Sequence, residues 1–311
     1  MPESVPRAVA SAFAFRSATQ GVTSIPDWVL LIVPGGIWGA SFLFIAEGLR
    51  AIGPNGVTFV RILIGFATLA LIPSARAPVP RSAWRGIALV GVVWLAFPLS
   101  MFPFAEQRVS SALTGMLNGA VPLFTAIAGA ILSRRAPSRD IAAGLAVGLL
   151  GAVLIALPTI HEGRSSLEGV LLILAALASY GIALHLARPL QQRHGALPVI
   201  WRAQAVALAL TAPLGLPDLL VARFTPGSLL ALLALGALGT GMAYVLLAVA
   251  AGRVGATRAS ATTFLIPSVA LLLGVAVRGE RVAPLSALGG GVCVAGAWLV
   301  RRAQGNEPGA G

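Results

Sequence analysis

Ten long apolar segments, separated by short polar or charged connections, dominate the chain. A transmembrane helix needs about 20 mostly apolar residues, and about 17 still suffice. The connections are too short to hold a soluble domain. The pattern therefore predicts an all-α integral membrane protein whose ten spans are Trp28–Gly48, Gly56–Pro73, Gly86–Phe104, Ser111–Leu132, Ile141–Pro158, Leu167–Ala187, Leu197–Leu216, Ser228–Ala250, Ala259–Val277 and Pro284–Val300.

The second half of the chain repeats the first half with its helix breakers in register. When residues 109–155 are laid over residues 254–300, a shift of 145 in the numbering, these breakers coincide: Pro122 with Pro267, Gly129 with Gly274, Gly144 with Gly289 and Gly151 with Gly296. Each half holds five spans, an odd number, so the second copy must enter the membrane in the opposite sense. Many secondary transporters are built from such inverted repeats, with the substrate site between them near the bilayer midplane.

The predicted domains are two inverted five-helix repeats, residues 28–158 and 167–302. A cytoplasmic tail of residues 1–27 precedes them, and a disordered tail of residues 303–311 follows them. All 22 basic residues are arginines, and most lie in connections on the same side as the N-terminus. The positive-inside rule then predicts that both termini are cytoplasmic. We expect the inner (plasma) membrane as the location.

Composition excludes several classes of protein. Hydrophobic residues make up 57% of the 311 residues and charged residues only 10%, against about 25% charged in a soluble domain. Because the sequence has no lysine, it has neither a Walker A lysine nor a Schiff-base lysine. The net charge of +12 is explained by orientation rather than by nucleic-acid binding. The lone Cys293 excludes an intrachain disulfide.

Motifs inside the spans resemble those of a known family. The first span contains Ile37-Trp38-Gly39-Ala40-Ser41-Phe42, which is similar to the W-G-x-x-F motif in the first span of that family. The second span contains Arg61 at a position where the same family commonly has an arginine. The fourth and ninth spans carry mid-helix prolines, and the ninth ends in Gly279-Glu280-Arg281, similar to a G-E-R element. Residues 28–302 resemble EamA-type carriers of the drug/metabolite transporter superfamily.

The resemblance implies ten helices and gradient-linked movement of small metabolites, often amino acids and usually outward. It also implies a central cavity lined by the first, third, fourth, sixth, eighth and ninth spans. The chain departs from the pattern after the fourth span, where Ser133-Arg134-Arg135 replaces the G-E-R element. The first half must therefore do without that glutamate as a cap or charge partner.

Six side chains on those spans are candidates for substrate binding. Four are aromatic and lie away from the membrane interfaces, where a hydroxyl or indole N–H needs a partner. The other two are polar and correspond at the shift of 145. Packing between helices is the alternative role for all of them. The candidates are Trp38, Trp94, Tyr180, Tyr244, Asn118 and Thr263. Because Trp38 and Tyr180 correspond in oppositely inserted copies, we expect them to face each other.

Two prolines are candidate gating bends. Proline cannot donate to the carbonyl four residues earlier, so Pro122 leaves the Asn118 carbonyl free and Pro267 leaves that of Thr263 free. Both carbonyls lie at matched depths beside polar side chains. We therefore expect Pro122 and Pro267 to bend the fourth and ninth spans.

The charges inside the spans have a structural interpretation. Arg61 and Arg202 correspond at a shift of 141 and each lies about five residues into its helix, roughly 8 Å deep. That depth is within reach of the interface, and the resemblance places both spans off the cavity. Glu47, near the outer end of the first span, is the expected partner of Arg61.

The resulting prediction is a secondary transporter that exports a small metabolite, an amino acid or a related compound, by alternating access. No enzymatic activity is expected, because the spans lack a catalytic cluster, and no metal or cofactor is expected. A translocase of a lipid-linked or polyprenyl substrate is one alternative, and an integral-membrane enzyme acting on a lipid is another. The expected partners are the substrate and the bilayer, with no nucleic acid and with a homodimer left open.

Overall fold

The computed structural model describes residues 26–160, 164–254 and 259–306, and within these ranges the chain is helical and has no β-strand. The helices, in chain order, are α1 (Asp27–Gly48), α2 (Pro54–Ala70), α3 (Arg81–Glu106), α4a (Ser111–Asn118), α4b (Val121–Ser133), α5 (Arg139–Ile160), α6 (Arg164–His194), α7 (Ala196–Leu220), α8 (Pro226–Arg253), α9 (Thr262–Arg278) and α10 (Pro284–Asn306). Helix α10 therefore extends past residue 303, where we predicted the start of a tail. Residues 1–25 and 307–311 of the two predicted tails lie outside the described residues.

The helices suit a membrane in length and in surface. Among the described residues, seven helices are long and apolar enough to cross a bilayer, and α4a with α4b makes an eighth if the bent pair is one span. Helices α2 and α9 are shorter and apolar. Large side chains such as Leu150, Leu171 and Leu272 are more than half exposed, which suits lipid better than water. The protein is a multi-pass membrane protein.

Helices α5 and α10 pack antiparallel along a seam of small residues. A Cβ atom on Gly144 would lie 2.7 Å from the backbone nitrogen of Val300, so the backbones touch. Small residues allow this approach in lipid. Close contacts of the same kind join Gly144 to Val300, Gly148 to Gly296, Gly151 to Cys293 and Ile155 to Gly289. The shift of 145 that aligns the two halves maps this set of pairs onto itself.

Two further helix pairs pack alike. Gly39 of α1 faces Val269 of α9, where an added Cβ would lie 2.5 Å from the valine Cβ. Gly181 of α6 faces the carbonyl of Phe124 of α4b at the same 2.5 Å. In the sequence, Gly39 matches Gly181 at a shift of 142, and Phe124 matches Val269 at the shift of 145. The α1–α9 and α6–α4b contacts therefore correspond in the two halves.

Helices α3 and α8 each contain a π-helical segment, Gly91–Ala96 and Ala234–Met242. Gly91 and Gly236, which correspond at the shift of 145, each lie against the backbone of a neighbouring helix. An added Cβ on Gly91 would lie 2.8 Å from the carbonyl oxygen of Ala203, and one on Gly236 would lie 3.1 Å from that of Arg61. Arg61 therefore corresponds to Ala203, which is a shift of 142.

That register corrects one prediction. We had matched Arg61 with Arg202 at a shift of 141. The helix N-caps Gly53 and Gly195 also match at a shift of 142, so the two arginines are one residue out of register. At 3.6 residues per turn, one residue turns a side chain by about 100°. Arg61 and Arg202 therefore lie on different faces of their helices.

Candidate functional site

A cavity of about 230 Å³ lies where the helices converge, and it collects the six candidate binding residues. Side chains from α1, α3, α4a, α4b, α6, α8 and α9 line it, which are the spans that the family resemblance implied. Helix α2 also contributes. The candidates around the cavity are Trp38, Trp94, Asn118, Tyr180, Tyr244 and Thr263. Their role in binding stays a prediction.

Aromatic rings form much of the cavity wall. The ring of Tyr244 lies 5.6 Å from those of both Trp38 and Trp94, in edge-to-face arrangements. The ring of Tyr180 packs 5.9 Å from that of Phe102. Trp38 and Tyr180 therefore share the cavity, but each has a different ring partner from the one we expected.

The π-helical segments supply carbonyl groups to the neighbouring helices. The indole Nε1 of Trp38 donates to the carbonyl of Gly239 in α8 over 3.0 Å. The Ser179 hydroxyl of α6 donates to the carbonyl of Val93 in α3 over 2.5 Å. A π turn breaks the regular hydrogen-bond ladder and is frequent at functional sites. The indole N–H of Trp38 therefore has a hydrogen-bond partner inside the protein, and its ring is held in place.

The predicted bend of the fourth span lies beside the cavity. Helix α4a ends at Asn118, and α4b begins at Val121 with an angle of 42° between them. Pro122 is in the first turn of α4b, where its missing N–H costs little. The Oδ1 atom of Asn118 is buried and has no hydrogen-bond partner among the described residues. Asn118 therefore keeps an acceptor available at the cavity.

The corresponding break in the ninth span is milder. Residues Ser260–Phe264 form a 3₁₀ turn, and α-helical geometry begins at Leu265, with Pro267 in the first turn that follows. Thr263 lines the cavity from this turn. Both prolines thus follow a change in helical geometry beside the cavity.

Arg61 lies in the cavity wall, which contradicts the expectation, drawn from the family resemblance, that the second span lies off the cavity. Its side chain is 5% exposed, and its Nε donates to the Thr240 hydroxyl over 3.2 Å. The expectation failed because the resemblance leaves α2 out of the spans that line the cavity. Arg202, by contrast, donates from Nη1 to the Pro198 carbonyl over 3.1 Å and lies over the Trp201 ring. It is not a cavity residue.

Glu47 is not the partner of Arg61. Its carboxylate pairs with Arg50 at 3.2 Å and with Arg278. Arg278 also pairs, from Nε at 3.0 Å, with Glu280. These ions form one network at the end of the bundle where α1 and α9 finish.

Glu280 gives that network a second function, because it caps α4a. One carboxylate oxygen accepts from the Ser111 hydroxyl at 2.7 Å and from the Ser111 N–H at 3.1 Å. The other accepts from the Ala112 N–H at 2.8 Å. An anion at a helix N-terminus satisfies free N–H groups and the helix dipole. The G-E-R glutamate therefore ties α9 to α4a.

Sequence reasoning missed one further acidic group. The carboxylate of Glu106, at the end of α3, is buried, and neither oxygen has a hydrogen-bond partner among the described residues. Nothing in the local sequence shows that neighbouring helices cover it.

Comparison with known proteins shows to which family this helical membrane protein belongs. The chain belongs to the EamA-like transporter family, whose sequence model matches residues 27–157 and 167–302. It is 28% identical over 268 residues to the uncharacterised transporter YdfC of Bacillus subtilis, covering 84% of this chain and 86% of the relative.

Other relatives carry more specific names. A probable terminal-alkyne amino-acid exporter of Streptantibioticus cattleyicolor is 26% identical over 270 residues, covering 85% of this chain and 90% of that protein. A probable amino-acid metabolite efflux pump of Salmonella typhimurium is 23% identical over 290 residues, covering 88% and 94%. A solved crystal structure matches with a TM-score of 0.61 and 20% identity over 88% of this chain and 95% of the other. That likeness concerns the fold.

Proposed function

We propose that the protein exports a small metabolite, an amino acid or a related compound, by alternating access, and that the central cavity is its binding site. The carrying observation is the cavity itself, to which both halves of the chain contribute aromatic and polar side chains. Names of relatives as amino-acid exporters add support for this substrate range. The proposed location is the plasma membrane, with both termini in the cytoplasm.

The proposed mechanism uses two inverted five-helix repeats, residues 28–158 and 167–302. The seam between α5 and α10 supports it, because its contact pairs exchange with one another under the shift of 145. The corresponding contacts of α1 with α9 and of α6 with α4b support it too. Rocking one repeat against the other would open the cavity to each side of the membrane in turn.

The two broken helices are the proposed gates. Pro122 follows the 42° bend between α4a and α4b, and Pro267 follows the 3₁₀ turn at the start of α9. Each break lies beside the cavity, and the helices that follow the two breaks lead towards opposite ends of the bundle. Movement at one break can therefore change access to the cavity from one end of the bundle while the helix at the other end stays folded.

Transport in proteoliposomes tests this function. We would load vesicles with unlabelled phenylalanine or alanine and measure entry of the radiolabelled amino acid, with and without a pH gradient. Tyr180→Ala should weaken binding by about five- to 150-fold, because a buried aromatic contact contributes about 1–3 kcal/mol. Trp298→Ala is the matched control, since Trp298 is exposed on α10, away from the cavity.

The expected result is exchange that the parent and Trp298→Ala perform and Tyr180→Ala performs poorly, with all three proteins equally heat-stable. If Tyr180→Ala lost stability but kept its affinity, Tyr180 would be a packing residue. Exchange of neither amino acid, together with movement of a polyprenyl-linked substrate, would contradict amino-acid export.

A further inference from the structure

Arg61 is a buried cation that has no carboxylate partner within the described ranges. Its side chain is 5% exposed and lines the cavity. A guanidinium carries five N–H donors, and the described residues accept only from its Nε. An uncompensated charge inside a membrane protein is costly and marks a functional site by default. No described residue supplies a negative charge in direct contact with Arg61, which leaves that position open to a ligand.

The neighbours of Arg61 hold one edge of its guanidinium and leave the other edge to the cavity. The Thr240 hydroxyl donates to the Leu235 carbonyl at 3.1 Å, so its oxygen can accept from Arg61 Nε at 3.2 Å. Gln204 donates to the Thr240 carbonyl at 2.6 Å and fixes the same turn. Less side-chain freedom is therefore lost when a ligand binds, which favours affinity.

The rest of the cavity matches a ligand with one negative charge and an apolar body. No described residue that lines it is acidic. Aromatic faces of Trp38, Trp94 and Tyr244 cover one wall, and Asn118 and Tyr180 offer polar atoms near it. A carboxylate can accept two parallel hydrogen bonds from the free edge of a guanidinium. A phosphate group carries about −1.5 to −2 charges, which one arginine would not balance.

Glu106 is a buried carboxyl group at the end of α3 that has no hydrogen-bond partner among the described residues. Arg61 and Glu106 form no ion pair among the described contacts. Glu106 does not line the cavity. Glu106 therefore leaves the cavity edge of Arg61 available to a ligand.

We propose that Arg61 binds the carboxylate of the substrate and that the substrates are small carboxylic acids with a flat or apolar side chain. The proposal rests on the proposed transport function and names its substrate class. The free carboxylate is the required group, and the aromatic wall takes the apolar body. An amide or an amine with the same body lacks the charge that Arg61 needs.

A set of four ligands with the same phenyl ring tests the requirement. Trp38 and Trp94 lie in the cavity wall, so intrinsic fluorescence of the purified full-length protein should report binding. We expect L-phenylalanine and 3-phenylpropionate to bind at least about tenfold more tightly than 3-phenylpropanamide and phenethylamine. Equal affinity for the amide and the acid would overturn the proposal, and so would failure of both acids to bind.

Variants locate the effect at Arg61. Arg61→Gln should weaken 3-phenylpropionate by about ten- to 100-fold, the range for a hydrogen bond to a charged group, and should change the amide less than about twofold. Arg61→Lys should recover part of the loss, because it restores the charge without the planar fork. Arg202→Gln is the matched control and should bind like the parent. Glu106→Gln should keep the preference for the acid.

The design separates this inference from the proposed function. If Arg61→Gln does not fold, the parent's preference among the four ligands and the Arg61→Lys variant still decide. Proteoliposomes that transport amino acids with no preference for the free carboxylate would overturn the role of Arg61 alone. Carboxylate-selective binding without any transport would overturn the proposed function alone.

Discussion

The ends of α4b and α9 occupy corresponding places in the two halves, and comparing them separates backbone geometry from side-chain chemistry. Both helices end at a residue in the left-handed region, Arg134 with φ 53° and Gly279 with φ 65°. In both, the next N–H turns back to the last helical turn, from Arg135 to Ala130 at 3.2 Å and from Glu280 to Gly274 at 3.0 Å. Both turns therefore pass through one left-handed residue, although the N–H that follows reaches back five residues from Arg135 and six from Glu280.

The residue after the turn makes the difference. Glu280 caps α4a and pairs with Arg278, whereas Arg135 is exposed. Gly274 leaves room for this contact, because a Cβ there would lie 2.5 Å from the Glu280 carboxylate. Its counterpart Gly129 faces the ring of His185 instead, at 3.0 Å. The counterparts of Ser111 and Ala112, residues 256 and 257, lie outside the described residues.

This asymmetry has a functional consequence. We call the end of the bundle with Glu47, Arg278 and Glu280 the Glu280 end, and the end with Arg134 and Arg135 the Arg134 end. At the Glu280 end, the Glu47–Arg278 ion pair and the Glu280 cap of α4a join helices of both halves, whereas at the Arg134 end the Asp27–Arg253 pair, at 2.7 Å, joins α1 to α8. Opening the Glu280 end must break the cap of α4a in addition to an ion pair, so we propose that the carrier favours the state in which the Glu280 end is closed.

Removing the charge of Glu280 should have the largest effect. Glu280→Gln loses the ion pair with Arg278 and weakens the cap of α4a. Hydrogen bonds to a charged group contribute about 1.5–3 kcal/mol, so we expect the free energy of unfolding in detergent to fall by about 2–3 kcal/mol. Arg135→Gln, at the exposed counterpart, should change it by less than about 0.5 kcal/mol. Equal effects of the two changes would show that Glu280 does not tie the helices together.

Exchanging the residue types at the two turns should have an intermediate effect. Gly279→Ala should destabilise the protein by about 1 kcal/mol, because a Cβ is disfavoured at positive φ. The site is otherwise open, since nothing lies within 4 Å of the added atom. Arg134→Gly should stabilise by up to about 1 kcal/mol for the same reason. Thermal unfolding of both variants measures this, and changes of the same sign would contradict the shared geometry.

Straightening the broken helices should have the smallest effect on stability, and the two proline variants should have opposite effects on access to the cavity. Pro122→Ala lets residue 122 donate to the Asn118 carbonyl, and Pro267→Ala does the same for Thr263. Each should bias the carrier towards one facing state, and the two should bias it in opposite directions. Labelling of an introduced cavity cysteine from each side reports the bias. Identical labelling of both variants and the parent would make the prolines packing features only.

Local signals explain what could be predicted from the sequence. Apolar length located the helices, and proline located the break before Val121, because both act within a few residues. The six aromatic and polar candidates lie around one cavity, as expected, because they are on spans that the family resemblance places around it. The cavity position of Arg61 was not predicted, because the family resemblance leaves α2 out of the spans around the cavity. Glu106 is covered by distant helices, which no local pattern reveals.

The most direct test of the account is the side from which the cavity can be reached. Leu184 is an apolar cavity residue without a hydrogen-bonding role, so we would introduce Leu184→Cys and label it with a membrane-impermeant maleimide in right-side-out and inside-out vesicles. The parent without this change is the control, because Cys293 is buried. The account predicts labelling from the Arg134 end that 3-phenylpropionate slows, and a shift towards labelling from the Glu280 end when Glu280→Gln is added. Labelling that is the same with and without Glu280→Gln, and that the ligand does not slow, would contradict a substrate cavity with alternating access.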